Sequence, residues 1–359
     1  MKKSRRIVVK VGSNVLTRPD GKPNVVNMAQ IVDQIAALRR LGHQIILVSS
    51  GAVACGRSMV KPSKKLDSVG QRQIFSAVGQ IKLLNIYTSL FAEYGITIGQ
   101  VLTQKENFGS RRSYLNQRAA MQVMLENGVL PVANENDTAS LTELMFTDND
   151  ELSGIIAAMM DADTLVILSN IDGIFTGAPD LPDSRLIERV EIGDDLSQYI
   201  QTTKSGFGRG GMGTKYGIAR RLSEEGVRVI IANGTRPGIL TGVVSDPKNT
   251  PHTEFVPREE PVSNIKRWLA HSTSFTKGRI NVNDRAAEAL RSDKAISLLP
   301  IGVTSIEGEW EEGDIVDIYG PDSSKIGIGR ASLSHEETEA VLGRHGSKPI
   351  VHYDYLFIE

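Results

Sequence analysis

The sequence lacks the features that mark several specialised classes of protein. Its one cysteine, Cys55, allows no internal disulfide, and the pattern favours a small buried residue on a helix there over a nucleophile. The histidines follow no zinc-binding spacing, which argues against a structural zinc site. The formal net charge of −1 gives the whole chain no attraction to nucleic acid or to a membrane surface.

Long hydrophobic runs are also absent from the sequence. No apolar stretch approaches the roughly 20 residues that a membrane-spanning helix requires. The N-terminus is basic, but Lys10 and Gly12 interrupt the apolar run that follows it, so the hydrophobic segment of a signal peptide is missing. We therefore expect a cytoplasmic protein with no membrane partner.

Apolar runs alternate with helical patterns over the first two-thirds of the chain. The predicted strands are 7–11, 45–48, 96–102, 129–133, 164–168 and 227–232. The predicted helices are 31–41, with Gly42 at the C-cap position, 114–126, 152–160 and 212–225. Strands that are apolar throughout and are followed by helices predict an α/β fold, with a mostly parallel open sheet covered by helices on both faces.

The predicted strands end in small, polar and often glycine-containing sequence. Examples are Gly12-Ser13 after the first strand, Ser49-Ser50-Gly51 after the second and Ser169-Asn170 after the fifth. Ligands of open α/β sheets bind outside the carboxyl ends of the strands. The sequence therefore predicts a binding site at this edge of the sheet.

The pattern changes in the last third of the chain. Prolines recur between residues 246 and 264, which indicates a connector. Short strand-like runs then dominate (278–282, 315–319, 326–331 and 349–357), with one helix at 284–291. The 359 residues exceed one domain of roughly 150 residues. We predict a first domain at 1–255, a linker at 256–272 and a small, mainly β domain at 273–357.

The glycine-rich segment 206–215 precedes a predicted helix and ends in Lys215. Glycines before a helix N-terminus let backbone N–H groups approach an anion closely. This is not a Walker A loop, because Thr214 precedes Lys215 and no serine or threonine follows it. Lys10, at the end of the first strand, would bring a second cation to the same edge of the sheet.

Two further segments carry chemistry, each with a structural alternative. Ser50-Gly51 could bind phosphate or carboxylate oxygens, or could simply cap a helix. Amides and carboxylates are concentrated between Asn134 and Asp150. Asp148 or Asp150 could serve as an ordinary helix N-cap, but one cap does not require both aspartates. Such a cluster suits a substrate that bears both an ammonium and a carboxylate group.

Several motifs, in order along the chain, resemble the amino acid kinase family, and in particular its members that act on L-glutamate. The matching motifs are Val9-Lys10-Val11-Gly12-Ser13, Ser49-Ser50-Gly51-Ala52-Val53, Asn134-Glu135-Asn136-Asp137, Asp148-Asn149-Asp150 and Gly210-Gly211-Met212-Gly213-Thr214-Lys215. From Lys266-Arg267-Trp268 onward, the chain resembles the PUA domain that is attached to such bacterial kinases.

The resemblance implies transfer of a phosphoryl group from ATP, with Mg²⁺, to the side-chain carboxylate of L-glutamate, as the first step of proline synthesis. It implies that the catalytic residues are Lys10, Lys215, Asp150 and Gly51, with Asp150 orienting the two lysines. It implies ATP binding by Lys10, Ser169, Asn170, Arg209, Gly210, Gly211, Met212, Gly213, Thr214 and Lys215. It implies glutamate binding by Ser50, Asn134, Asp137, Asp148 and Asn149, with the magnesium carried by ATP rather than by the protein alone.

The sequence departs from the family pattern at two places. Ser169-Asn170 stands where the family has Thr-Asp, and Ala178-Pro179 stands where Asp-Pro is expected. A carboxylate is missing from each place, so the resemblance does not define the exact contacts to ribose and base, although it still implies the reaction.

The resemblance also implies three partners: proline as feedback inhibitor, further copies of the chain in a dimer or tetramer, and RNA at the PUA-like domain. Residues 265–359 carry a net charge of −4, which disfavours RNA and favours a structural or regulatory role for that domain. The alternatives are a kinase of the same fold for N-acetylglutamate, aspartate, carbamate or a nucleotide, and an RNA-binding protein scaffolded by a kinase fold.

Overall fold

The computed structural model describes residues 5–108, 111–138, 148–200, 211–259, 276–292, 296–344 and 348–358. The chain divides into one unit of Met1–Lys105 with Arg118–Pro261 and another of Glu106–Gln117 with Val262–Glu359. Most of the predicted linker, and the Lys266-Arg267-Trp268 motif, fall outside the described residues. The predicted boundaries of the linker therefore stay a prediction.

An eight-stranded sheet forms the centre of the first unit. Its strands are β1 (Arg6–Val11), β2 (Gln44–Ser49), β3 (Ile98–Thr103), β4 (Leu130–Glu135), β5 (Thr164–Ser169), β6 (Arg189–Val190), β7 (Arg228–Asn233) and β8 (Thr253–Phe255). They lie in the order β3-β4-β2-β1-β5-β7-β8-β6. Of the strand pairs in this sheet that the structure describes, β7 with β8 is antiparallel and the others are parallel. The predicted mostly parallel sheet is confirmed.

Helices flank this sheet. They are α1 (Ser13–Leu16), α2 (Val25–Arg40), α3 (Ala52–Arg57), α4 (Ser68–Ala92), α5 (Arg111–Glu126), of which the residues from Arg118 on belong to the first unit, α6 (Asn149–Met159), α7 (Met212–Glu224) and α8 (Ile239–Ser245). Gly42 follows α2 with φ of +87°, as expected of the predicted C-cap glycine. Cys55 is buried within α3, as predicted.

Helix α4 is long and apolar enough to cross a membrane by length and composition alone. In this fold it is instead a packed helix, because Leu83, Tyr87 and Phe91 are at most 1% exposed in the core of the first unit. Its polar residues Arg72 and Gln80 bond to side chains of the β4 end and the loop after it. The sequence analysis did not predict this helix.

Helices α3 and α4 cross at two glycines without room for a side chain. A Cβ atom on Gly79 would lie 1.8 Å from the backbone oxygen of Ala52, and one on Gly56 would lie 1.8 Å from the backbone oxygen of Phe75. Real Cβ contacts are never so short, so the two helices touch backbone to backbone. This contact fixes α3, whose N-terminus follows Ser50 and Gly51.

We therefore expect Gly79→Ala to lower the free energy of unfolding by about 2–3 kcal/mol, because the two backbones must separate. Denaturant unfolding measures the effect. The matched control is Gly217→Ala in α7, where an added Cβ meets nothing within 4 Å. That change should stabilise by up to about 1 kcal/mol through helix propensity alone. Equal effects of the two substitutions would contradict the packing argument.

The second unit contains a five-stranded sheet. Its strands are β9 (Gly278–Val282), β10 (Val303–Gly308), β11 (Ile315–Tyr319), β12 (Lys325–Ala331) and β13 (Val351–Ile358), in the order β10-β9-β11-β12-β13. Among the described residues, two α-helices accompany it, α9 (Asp284–Arg291) and α10 (His335–Val341). Trp310 belongs to its core and donates from Nε1 to the backbone oxygen of Leu333 at 3.1 Å. The predicted small, mainly β module is confirmed.

Candidate active site

An open cavity of about 1090 Å³ lies at the carboxyl ends of β1, β2, β4 and β5. Parallel strands bring these ends to one edge of the sheet, where the loops and helix N-termini that follow them converge. Thirteen of the predicted site residues line the cavity: Lys10, Ser50, Gly51, Asn134, Asp137, Asp148, Asn149, Asp150, Ser169, Asn170, Gly211, Met212 and Lys215.

The other predicted site residues are placed differently. Arg209 and Gly210 lie outside the described residues. Gly213 and Thr214 are in the first turn of α7 but do not line the cavity. The described part of the glycine-rich segment therefore reaches the cavity through Gly211, which is the N-cap residue of α7, and through Met212 and Lys215.

A buried carboxylate joins two lysines at the centre of the site. Asp150 Oδ1 pairs with Lys10 Nζ, and Asp150 Oδ2 accepts a hydrogen bond of 2.9 Å from Lys215 Nζ. Lys10, Lys215 and Asp150 are 4%, 8% and 0% exposed, so water screens this arrangement little. The chain folds three distant segments into a cluster with two positive charges and one negative charge.

Local structure explains which aspartate takes which place. Asp148 is the N-cap residue of α6, and its Oδ1 accepts from the backbone N–H groups of Asp150 at 2.9 Å and of Glu151 at 3.1 Å. Asp150 is thus the second residue of the helix, and its side chain does not cap the helix but pairs with Lys10 and Lys215. Both uses that the sequence analysis left open occur together, one for each aspartate.

The pKa values of the two aspartates are shifted in opposite directions. Burial by itself would raise the pKa of Asp150, but the charges of Lys10 and Lys215 outweigh it and lower that pKa below its ordinary value. Burial, followed by the negative charge of Asp150, raises the pKa of Asp148 to about 6. Among the described residues, no hydrogen-bond donor faces Asp148 Oδ2, which is buried.

A second corner of the cavity gathers the residues predicted to bind glutamate. Asn149 Nδ2 donates to Ser50 Oγ at 3.1 Å and to Asn134 Oδ1 at 3.0 Å. Gln80 of α4 accepts from Asn134 Nδ2 at 2.8 Å and thereby orients the amide. Ser50, Asn134 and Asn149 therefore form one hydrogen-bonded group that links the ends of β2 and β4 to the start of α6.

Gly51 requires the left-handed conformation that glycine allows. Its φ is +101°, and it is the N-cap residue of α3, directly after Ser50. A side chain here would be strained by the backbone conformation and would lie 3.4 Å from Leu16 Cδ1. The backbone turn places Gly51 on the cavity wall.

Arg72 is a cavity residue that the sequence analysis missed. Its guanidinium pairs with Asp137 and donates to Glu135 Oε2 at 2.8 Å. Burial raises the pKa of Asp137, although the charge of Arg72 opposes that shift. Arg72 follows no strand and is flanked by Gln71 and Gln73, so the sequence around it gives no sign of a binding site.

Ser169 ends β5 on the other side of the cavity, and Asn170 follows it. The loop they begin does contain a carboxylate, at Asp172, although the family position at residue 170 lacks one. Asp172 accepts from Arg236 Nε at 2.6 Å and Nη2 at 2.5 Å and from Asn233 Nδ2 at 3.1 Å. It therefore ties together the loops that follow β5 and β7.

Comparison with known proteins places these features in a family. Residues 5–233 match the model of the amino acid kinase family, and residues 278–353 match that of the PUA domain. A protein of Bacteroides thetaiotaomicron named glutamate 5-kinase is 58% identical over 99% of this chain and 98% of its own length. One of the same name from Chlorobaculum tepidum is 45% identical over 99% of this chain and 97% of its own length.

A solved structure shares the fold at low sequence identity. The carbamate kinase from Giardia lamblia bound to AMP-PNP aligns with 72% of this chain and 100% of its own, at a TM-score of 0.53 and 15% identity. Since the identity is low, this likeness bears on the fold alone. It agrees with the mostly parallel sheet described above.

Proposed function

Because the chain belongs to the amino acid kinase family, we propose that it transfers the γ-phosphoryl group of ATP to the side-chain carboxylate of L-glutamate. The products would be L-glutamyl 5-phosphate and ADP, in the first step of proline synthesis. The names and near-complete coverage of the relatives support this substrate. The observation that carries the proposal is the buried Lys10–Asp150–Lys215 cluster at the cavity wall.

The reaction needs charge stabilisation more than proton transfer. A glutamate side chain has an ordinary pKa of about 4.3, so the attacking oxygen is already ionised at neutral pH and requires no general base. That oxygen forms a bond to the γ-phosphorus while the bond to the β–γ bridging oxygen breaks, and ADP leaves with the electron pair. Catalysis of such a transfer is mainly positioning and electrostatic stabilisation.

Lys10 and Lys215 supply that stabilisation in our proposal. Asp150 accepts from both ammonium groups, so it holds them in place and offsets part of the repulsion between them. Each ammonium keeps donors for the phosphoryl oxygens, because an ammonium has three N–H bonds. The backbone amide of Gly51 adds a neutral donor beside them.

The corner formed by Ser50, Asn134, Asn149 and Asp137 would hold the amino acid. Asp137 is a buried carboxylate and would accept from the substrate ammonium. Strand β2 separates β4 from β1, so these two strands lie roughly 10 Å apart. A glutamate anchored at the end of β4 would thus extend its side chain past Ser50 toward the lysines.

ATP would occupy the remainder of the cavity. Its phosphates would meet Lys10, Lys215 and the N-terminal end of α7, where backbone N–H groups favour anions. We also assign phosphate contacts to Gly211 and Met212, and contacts to the rest of the nucleotide to Ser169 and Asn170. The phosphate contacts predicted for Arg209 and Gly210 stay a prediction.

Mg²⁺ would arrive with the nucleotide. The chemistry of one protein group fits it: Asp148 lines the cavity, and its buried carboxylate oxygen Oδ2 accepts no hydrogen bond from any described residue. Carboxylate and phosphate oxygens are the ligands that Mg²⁺ prefers. When bound, the ion would neutralise charge that develops on the phosphoryl oxygens.

An assay of ADP formation tests the proposal, with hydroxylamine present to capture the acyl phosphate as a hydroxamate. We expect turnover that depends on L-glutamate, and little with N-acetylglutamate, which lacks the ammonium, or with aspartate, whose side chain is one methylene shorter. Equal or faster turnover of either alternative would contradict the assignment of the substrate.

Further partners follow from the family and are also proposed. We infer that proline inhibits by competing at the glutamate corner, that the chain forms a homo-oligomer, and that it acts in the cytoplasm. The PUA domain would have a structural or regulatory role, because the acidic balance of residues 265–359 disfavours RNA.

A further inference from the structure

Arg72 is the described cation nearest to the carboxylate that we assign to the substrate ammonium. It projects from the first turns of α4, lines the cavity, and has a side chain that is 22% exposed. Its guanidinium contacts Asp137 and Glu135, whose side chains are 7% and 3% exposed. The two carboxylates are therefore more covered than the arginine side chain, which lines the cavity.

The donors of Arg72 are only partly used. Nε donates to Asp137 Oδ1 and Nη2 donates to Glu135 Oε2, but within the described part of the chain no acceptor bonds to Nη1. A guanidinium presents five N–H bonds in a planar fork that matches a carboxylate. Two acidic partners hold this fork in a fixed orientation at the cavity wall.

Three of the other cations that line the cavity have different positions. Lys10, near the end of β1, and Lys215, in the first turn of α7, both pair with Asp150. Arg57, at the end of α3, stacks over the ring of Phe75 with 5.7 Å to the centroid. Arg72 alone, among these four, touches Asp137.

An α-amino acid carries its ammonium and its α-carboxylate on one carbon atom. A protein group that accepts a hydrogen bond from the ammonium therefore also lies close to the α-carboxylate. Asp137 and Arg72 are in direct contact and have opposite charges. Side by side, they are complementary to the head group of a zwitterionic amino acid.

We propose that Arg72 binds the α-carboxylate of the substrate and determines the specificity of the enzyme for an α-amino acid. This proposal rests on the proposed function. Asp137 takes the ammonium and Arg72 takes the α-carboxylate. The side-chain carboxylate is then the one directed to the phosphoryl group. This division explains how the site selects one of two chemically similar carboxylates as the nucleophile.

Three acids, used as substrates, distinguish the contact of Arg72 with the α-carboxylate from the contact of Asp137 with the ammonium. L-Glutamate has both head-group charges, its 1-amide replaces the α-carboxylate by an uncharged amide, and glutarate lacks the ammonium. We expect the unsubstituted enzyme to prefer glutamate over the 1-amide by about 100-fold or more in kcat/KM, because a site built to bind a charged group rejects an analogue that lacks it. Similar kcat/KM for these two acids in the unsubstituted enzyme would overturn the proposal without any variant.

Arg72→Gln should raise KM for glutamate about 10- to 100-fold while kcat changes less, since binding rather than chemistry is affected. Its preference for glutamate over the 1-amide should fall below about tenfold, and its preference for glutamate over glutarate should persist. Arg72→Lys should recover part of the lost preference, because it keeps the charge. Arg228→Gln is the control, since it removes a partly buried pair with Glu254 at the opposite end of the sheet.

A purely supporting role for Arg72 predicts the reverse pattern. If the arginine only orients Asp137, Arg72→Gln would lose the preference over glutarate and keep the preference over the 1-amide, and that result would overturn the proposal. No hydroxamate from any of the three acids with the unsubstituted enzyme would overturn the proposed function, and this assignment with it. If Arg72→Gln turns over glutamate and keeps the unsubstituted enzyme's preference for glutamate over the 1-amide, the assignment of Arg72 is overturned and the proposed function stands.

Discussion

The single substitutions Lys10→Ala and Lys215→Ala should each lower kcat for glutamate phosphorylation by about 10²–10³-fold. This is the loss expected when one group that stabilises the transition-state charge is removed. The two ammonium groups lie on opposite oxygens of Asp150, so neither can take the place of the other. KM for ATP should rise less than kcat falls, because the lysines act most strongly on charge that develops during transfer. Steady-state kinetics with both substrates varied measures the two effects separately.

Two further measurements make this prediction specific. Lys248→Ala removes an exposed lysine outside the cavity and should leave turnover unchanged. Denaturant unfolding of the Lys10 and Lys215 variants shows whether they are folded under the assay conditions. Near-normal kcat in either folded variant would refute the assignment of that lysine to the phosphoryl group.

Asp150→Asn should lower the free energy of unfolding by about 3–5 kcal/mol at pH 7, because it leaves two buried ammonium groups without their common counter-charge. Lys10 and Lys215 are 4% and 8% exposed, so solvent cannot replace the carboxylate. The amide of asparagine can accept from one lysine but carries no negative charge. Unfolding by urea or guanidinium, followed by fluorescence or circular dichroism, measures the loss.

The pH dependence of this loss has a definite sign. The folded-state pKa of Asp150 lies below its ordinary value of 3.8, so its contribution to stability is present above that value and is lost as the pH falls through the folded-state pKa. The difference between the unsubstituted protein and Asp150→Asn should therefore be full at pH 7 and narrow in acid. A difference that grows as the pH falls would contradict the role of the charge.

Two variants distinguish an uncompensated charge from general damage. Glu254→Gln breaks a partly buried ion pair, in which the Glu254 side chain is 20% exposed and the Arg228 side chain 16%. It should lower the free energy of unfolding by about 1 kcal/mol or less. A triple variant, Lys10→Met, Asp150→Asn and Lys215→Met, removes the buried charges along with their partner. It should be more stable than Asp150→Asn alone, since an apolar replacement of a buried ionic group is often tolerated.

The parallel sheet could be predicted from the sequence because its central strands are buried on both faces. Residues 7–9 of β1 are all 0% exposed, so each position must be apolar and the run is visible in the sequence. Strands β6 and β8 were not predicted, because they contribute two and three residues at the far edge of the sheet. Such short strands depend on pairing rather than on a local pattern.

Helix α4 could not be identified by periodicity, because its apolar residues are not confined to one face. Ile81 is 66% exposed, whereas Leu83 is 1% exposed two residues later. The helix also turns Arg72 and Gln80 toward the end of β4, so polar residues occur on its inner side. Its contribution to the site follows from packing at Gly56 and Gly79, which no single-sequence pattern reports.

The sequence by itself determined the kinds of residues at the site and their positions at strand ends, because the buried strands must be apolar and the loops after them polar. The family resemblance in the sequence assigned Asp150 to Lys10 and Lys215, but only the tertiary structure brought these three residues into contact, and it alone brought Arg72 to Asp137. These pairings join residues that are between 65 and 140 positions apart in the chain. The order of strands and the crossing of helices fix such distances, and neither is encoded in a local stretch of sequence.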